Sequence, residues 1–172
     1  MDDRRILARR LTREAFAPFG DVIDTAGSAH YPINGGMCER HHDLARVEAL
    51  GPNARVLMSI FRGQPYVLPL TLTLVERHPF GSQAFMPLSP QPFLVIVCPD
   101  GDDGPGTPQA FLAGPGQGVN YPRNRWHGVL TPFGGPQDFL VVDRGGDGAN
   151  LEEFRFARPW LIELPAQEAK NA

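Results

Sequence analysis

The sequence predicts a mainly β chain, an antiparallel barrel or jelly roll with a few short helices, and three observations lead there. Short apolar runs of strand length, rich in β-branched and aromatic residues, recur along the 172 residues. Glycine and proline number 19 and 18, and they lie between those runs as turn punctuation, not in one low-complexity tract. The connections are too short to hold crossover helices, which removes a βαβ alternation and leaves antiparallel pairing as the economical architecture. The length fits a single domain spanning 1–172 with one core.

Taken in order, Thr12 can cap a short helical turn through Phe16. "FGDVI" (19–23) then reads as the first strand. "DLARVEAL" (43–50) predicts a two-turn helix capped by Asp43 and stopped by Gly51, entered from "ERHHD" (39–43), a solvated loop. Strands follow at "ARVLMSIFR" (54–62), "LPLTLTLVER" (68–77), "PFLVIVC" (92–98) and "QAFLA" (109–113). The last are "GVNYP" (118–122), "HGVLTPF" (127–133), "DFLVVDR" (138–144) and "PWLIEL" (159–164). "PDGDDGPGTP" (99–108) is an acidic, solvated hairpin loop.

Bulk properties exclude several classes. A formal charge of −3 with Lys and Arg dispersed along the chain lacks the footprint of a nucleic-acid binder. No apolar run approaches the roughly 20 residues that span a bilayer, and the N-terminus lacks a secretory pattern, so a soluble, cytoplasmic protein is expected. Two cysteines, Cys38 and Cys98, provide neither a disulfide framework nor a CxxC zinc motif, and Cys98 reads as a small buried hydrophobe.

Chemistry concentrates in two stretches. In "LTLVERHPFGSQ" (72–83) a period of two puts Glu76 and His78 on one strand face and turns Arg77 away, as an exterior ion pair. In "GPGQGVNYPRNRWHGVL" (114–130) polar side chains crowd beside a Gly-rich turn, with Trp126 read as barrel wall. The spacing resembles the two motifs of cupins, small jelly-roll barrels with inward metal ligands. G-x5-P-x-G-x2-H is matched by Gly116, Pro122 and His127, with Asn124 in place of the last glycine; H-x-H-x4-E is echoed by Glu76, His78 and Gln83. Glu76, His78 and His127 would then converge, and a carboxylate with two imidazoles suits a borderline divalent cation with open positions for substrate. Gln83 offers a weaker, neutral oxygen.

A closer resemblance runs over nearly the whole chain, through "EAFAPFGDVI", "NGGMCERHHDLA", "LPLTLTLVERHPFGSQAFMPL", "QGVNYPRNRWHGVL" and "DFLVVDRGG". In wording, order and spacing the chain resembles the ureidoglycolate lyase family, enzymes of allantoin breakdown. The resemblance implies cleavage of (S)-ureidoglycolate to glyoxylate and urea by a homodimer of cupin-like barrels, with nickel or a similar divalent ion as helper. Glu76, His78 and His127 become the expected catalytic and metal-holding residues. A guanidinium would pair with the substrate carboxylate: Arg123 and Arg144 are candidates, each with a competing acidic partner in Asp138 or Asp143, and Arg40 or His42 of the 39–43 segment could close over a pocket, that of a partner subunit included. The ureido group calls for amide-type partners, for which Asn34, Gln83 and Asn120 are available. Two other readings are a non-catalytic small-molecule-binding cupin and a metal-dependent isomerase or oxygenase on the same barrel. The former usually accompanies a further domain, and the latter usually has a fuller histidine set than Glu76 and Gln83 allow.

Overall fold

The computed structural model describes residues 4–166. Its strands are β1 (Arg5–Leu7), β2 (Arg9–Arg10), β3 (Asp21–Ile23), β4 (His30–Ile33), β5 (Cys38–His41), β6 (Arg55–Gly63), β7 (Leu70–Arg77), β8 (Gln83–Pro87), β9 (Phe93–Val97), β10 (Asp100–Gly101), β11 (Gly104–Pro105), β12 (Gln109–Ala113), β13 (Gly118–Tyr121), β14 (Thr131–Pro132), β15 (Gln137–Gly145) and β16 (Glu152–Glu163). One short helix, α1 (Arg13–Phe16), begins at Thr12, whose Oγ1 accepts from the Ala15 amide at 3.1 Å. No helix among the described residues is long and apolar enough to cross a membrane.

Five strands form one sheet in the order β3-β13-β8-β15-β6. The orders β1-β16-β7 and β14-β9-β12-β2 make the opposing layer, and His127 joins them by bridging Glu76 of β7 and Val97 of β9. Pairing between these strands is antiparallel except where β1 meets β16 and β2 meets β12. This two-sheet, mainly antiparallel sandwich accords with the jelly-roll expectation.

Between the layers, Phe85, Val119, Phe139 and Val141 pack against Phe93, Val95, Val97 and Phe111. Phe16 of α1 meets Phe111 edge-on at 5.5 Å, so this one helical turn is held by its aromatic anchor. The alternate residues of β9, Leu94 and Ile96, join Leu72, Trp126 and Ile162 in a second cluster. Burial on both faces explains why β9 is an unbroken apolar run. The apolar β7 is covered by β16, which pairs with it from Ile162↔Leu70 to Glu152↔Arg77.

The helix expected over 43–50 does not form. Asp43 has a positive φ of 53°. The backbone beyond it is claimed by tertiary partners: Glu48 N donates to Ser82 Oγ at 2.7 Å, Leu50 N to the Phe80 carbonyl at 2.8 Å, and the Arg46 carbonyl accepts from Asn120 at 3.0 Å. A strap whose backbone groups are paired in this way cannot also close a helical ladder through them. Part of the expected 39–43 loop is also ordered differently, since Cys38–His41 pairs with His30–Ile33 as a hairpin. β8, Gln83–Pro87, falls outside the expected strands. The acidic loop does contain a hairpin, β10 with β11. Cys38 is exposed and Cys98 buried, neither in a disulfide, and burial raises the Cys98 thiol to about 12, which keeps it protonated and inert.

Candidate active site

Residues 126–128 run between β7 and β9, with Glu76 and His127 exchanging backbone hydrogen bonds at 2.8 and 2.9 Å. Directly opposed residues of an antiparallel pair project to the same face, so His127 lies beside Glu76, and His78 follows one pleat further along. One potential ligand atom from each of Glu76, His78 and His127 lies within 4.8 Å of the others. The left-handed turn leading to His127 is made by Asn124, φ 61°, at the position where the cupin motif has glycine. Asparagine is among the few side chains that tolerate this conformation.

The imidazole tautomers are set by backbone acceptors. His78 Nδ1 donates to the Asn150 carbonyl at 2.7 Å and His127 Nδ1 to the Gly128 carbonyl at 3.0 Å. A neutral ring held this way presents its Nε2 lone pair, and both Nε2 atoms are buried without a protein hydrogen-bond partner. Burial lowers His127 to about 3, aided by the neighbouring His78, so this ring is neutral at physiological pH. Burial raises the Glu76 carboxyl, and His78 partly opposes the shift. Two oriented lone pairs with no partner, facing a carboxylate, fit a borderline divalent cation by donor chemistry alone.

Two residues outside the expected set complete the site. The Tyr121 ring stacks on His127 at 4.2 Å and 4° between planes, and both burial and Glu76 push its phenol pKa up. Asp143 lies on β15 near Gln83 and His78, and its carboxyl is raised chiefly by burial. Both follow from strand alternation, Tyr121 after Val119 and Asp143 after Val141, but only the tertiary pairing shows that these faces meet at Glu76. A cavity of about 630 Å³, lined in part by Phe61, Gln64, Tyr66, Glu76, Gln83 and Phe85, opens onto the site.

The other sequence candidates lie elsewhere. Asn120 is on the opposite face of β13 from Tyr121 and donates to Asp21 and to the Arg46 carbonyl, each at 3.0 Å. Arg144 faces away from Asp143 and donates to the carbonyls of Leu50 at 3.0 Å and Asp147 at 2.8 Å. Arg123 lies 3.9 Å from Glu48, and Asp138 pairs with Arg62, not with Arg123 or Arg144. Arg40 sits 6.0 Å over the Tyr31 ring on the exposed hairpin, whose turn begins at Asn34. Arg77 is an outward ion pair, donating to Glu152 at 2.6 Å while its guanidinium covers Trp126 at 4.3 Å. Trp126 itself is buried in the second apolar cluster, as barrel wall would be.

Residues 3–163 match the family model described as ureidoglycolate lyase. The chain belongs to that family. It is 73% identical over 161 residues to a ureidoglycolate lyase of Mesorhizobium japonicum, covering 94% of this chain and 99% of the relative. A Chelativorans ureidoglycolate lyase is 65% identical over 94% of this chain and 98% of its own. Rhizobium meliloti ureidoglycolate lyase 2 is 57% identical over 90% and 95%. Membership of this lyase family does not favour a non-catalytic binding cupin or a cupin isomerase or oxygenase.

Proposed function

We propose that the chain is a lyase that cleaves (S)-ureidoglycolate to glyoxylate and urea, at the centre formed by Glu76, His78 and His127. The observation that carries this reading is the convergence of one half-buried carboxylate and two oriented, unpartnered Nε2 atoms, in a member of the ureidoglycolate lyase family. The substrate is a carbinolamide, with a hydroxyl, a ureido nitrogen and a carboxylate on one carbon. Its cleavage moves the hydroxyl proton away as the C–N bond breaks and the C=O forms, and delivers a proton to the departing nitrogen. No water is consumed.

Without an ion the Glu76 carboxyl, raised by burial, can accept the hydroxyl proton and return it to the departing nitrogen; with an ion bound it serves as a ligand instead. His127, lowered to about 3, is a poor base. Its role is to aim an uncharged Nε2 that stays fixed by the Gly128 carbonyl and the Tyr121 stack. Arg62, the arginine among the cavity-lining residues, is held by Asp138. A divalent ion such as nickel, held by Glu76, His78 and His127, would supply the missing positive charge and Lewis acidity.

The reading extends to a homodimer working in the cytoplasm in allantoin catabolism. The exposed apolar side chains of Val56, Met58 and Ile60 on β6 support a covered sheet face. The test is urea release from racemic ureidoglycolate by the purified chain, with and without a chelator. Stoichiometric urea and glyoxylate from one enantiomer is the expected result, and absence of both products from metal-supplemented protein would sink the proposal.

A further inference from the structure

Gln83 and Asp143 carry buried acceptors that the protein itself leaves unused. β8 and β15 pair as Phe139↔Pro87, Leu140↔Met86, Val141↔Phe85 and Val142↔Ala84. One more step of that register sets Asp143 opposite Gln83, on the inward face two residues beyond Val141 and Phe85. Tyr121 faces Gln83 from the other side. The three residues form a polar row across the sheet, and Gln83 lines the same cavity as Glu76.

The Gln83 amide acts as donor toward the Asp143 carboxylate. With its NH₂ facing a carboxylate, the amide must present its oxygen elsewhere. Gln83 Oε1 and Asp143 Oδ1 are both buried without a hydrogen-bond partner. Two uncompensated buried acceptors on directly opposed residues are costly unless a ligand brings donors to them. A monosubstituted urea carries two roughly parallel N–H groups on the edge opposite its carbonyl. That edge matches a pair of adjacent acceptors.

Building on the proposed function, we infer that Gln83 Oε1 and Asp143 Oδ1 together receive the two parallel N–H groups of the ureido moiety, with Asp143 also fixing which way the Gln83 amide points. The pair selects a urea over leaving groups that lack those donors, and it orients the scissile nitrogen toward Glu76.

The test compares wild type with Gln83→Leu and Asp143→Asn, reading KM for ureidoglycolate, inhibition by each product, and nickel stoichiometry by equilibrium dialysis. Loss of charge-assisted or buried hydrogen bonds predicts a KM raised about 10- to 100-fold in Gln83→Leu. Inhibition by urea should weaken in parallel, while inhibition by glyoxylate and bound nickel stay unchanged. Asp143→Asn should shift the same quantities in the same direction. Unchanged KM and urea inhibition in both variants would overturn the assignment, as would loss of nickel in Gln83→Leu, which would make Gln83 a metal ligand. A wild type inactive on ureidoglycolate overturns the underlying reading as well, whereas an active wild type with indifferent variants overturns this inference alone.

Discussion

The same three strands enclose an apolar core at one level and a polar chamber two residues further along. On β13, β8 and β15 the inward residues Val119, Phe85 and Val141 are buried among phenylalanines, and the next inward residues are Tyr121, Gln83 and Asp143. In the core Val119, Phe85 and Val141 pack against other apolar side chains. In the chamber the Nε2 atoms of His78 and His127, Gln83 Oε1 and Asp143 Oδ1 are buried with no partner. One level lowers the free energy of the fold, and the next holds polar groups in a poorly solvated place where their full interaction is reserved for a ligand. The fully buried Phe139, Val141 and Phe111 behind the chamber provide the rigid backing that keeps such unsatisfied groups from relaxing.

Substitutions on the two levels should separate activity from stability. The largest effect belongs to the chamber: Glu76→Gln and His78→Ala should each lower kcat/KM for ureidoglycolate by about 10²–10⁴-fold, with thermal unfolding little changed. Near-wild-type turnover in both would erase the distinction. In the core, Phe111→Ala should cost about 3–5 kcal/mol of stability by leaving a cavity under α1, measured by denaturant unfolding. KM of the folded fraction should hold, and a large KM change would show that the two levels are not independent.

A smaller effect concerns protons. The folded-state pKa of His127 is about 3 against an ordinary 6.5, so unfolding takes up a proton between those values. In chelator-treated protein this ring therefore contributes no penalty above about pH 6.5, and stability falls as pH drops toward 3 by roughly 1 kcal/mol per pH unit. His127→Phe, which preserves the stack on Tyr121, should flatten that part of the stability profile; an unchanged slope would show that His127 is not the group responsible. The smallest effect is at the turn before His127. Asn124→Gly should alter stability by no more than about 1 kcal/mol, and Asn124→Ala should lose about that much, because φ 61° strains a side chain that cannot bond locally. Equal unfolding midpoints for the two variants would refute the conformational argument.

Much of this was legible without coordinates. The alternation in 70–77 put Glu76 and His78 on one face and Arg77 outside, and Arg77 does pair outward with Glu152. The run over 109–113 coincides with β12, and Thr12 caps α1. Local signals misled over 43–50, where good helix formers lie in a strap because Ser82, Phe80 and Asn120 offer its backbone better partners. Residue type alone also chose Asn120 and Arg144 as candidate substrate contacts. Both face away from the chamber, since one residue of shift along a strand reverses the side.

The sequence by itself determined the β class, the turns and the pair Glu76 and His78, because these depend on local alternation and on conformational preferences within a few residues. Only the tertiary structure decided that His127 inserts opposite Glu76, that Asp143 comes opposite Gln83, and which polar atoms stay unpaired. Those outcomes depend on register between strands distant in sequence, and register is set by how the whole buried face packs.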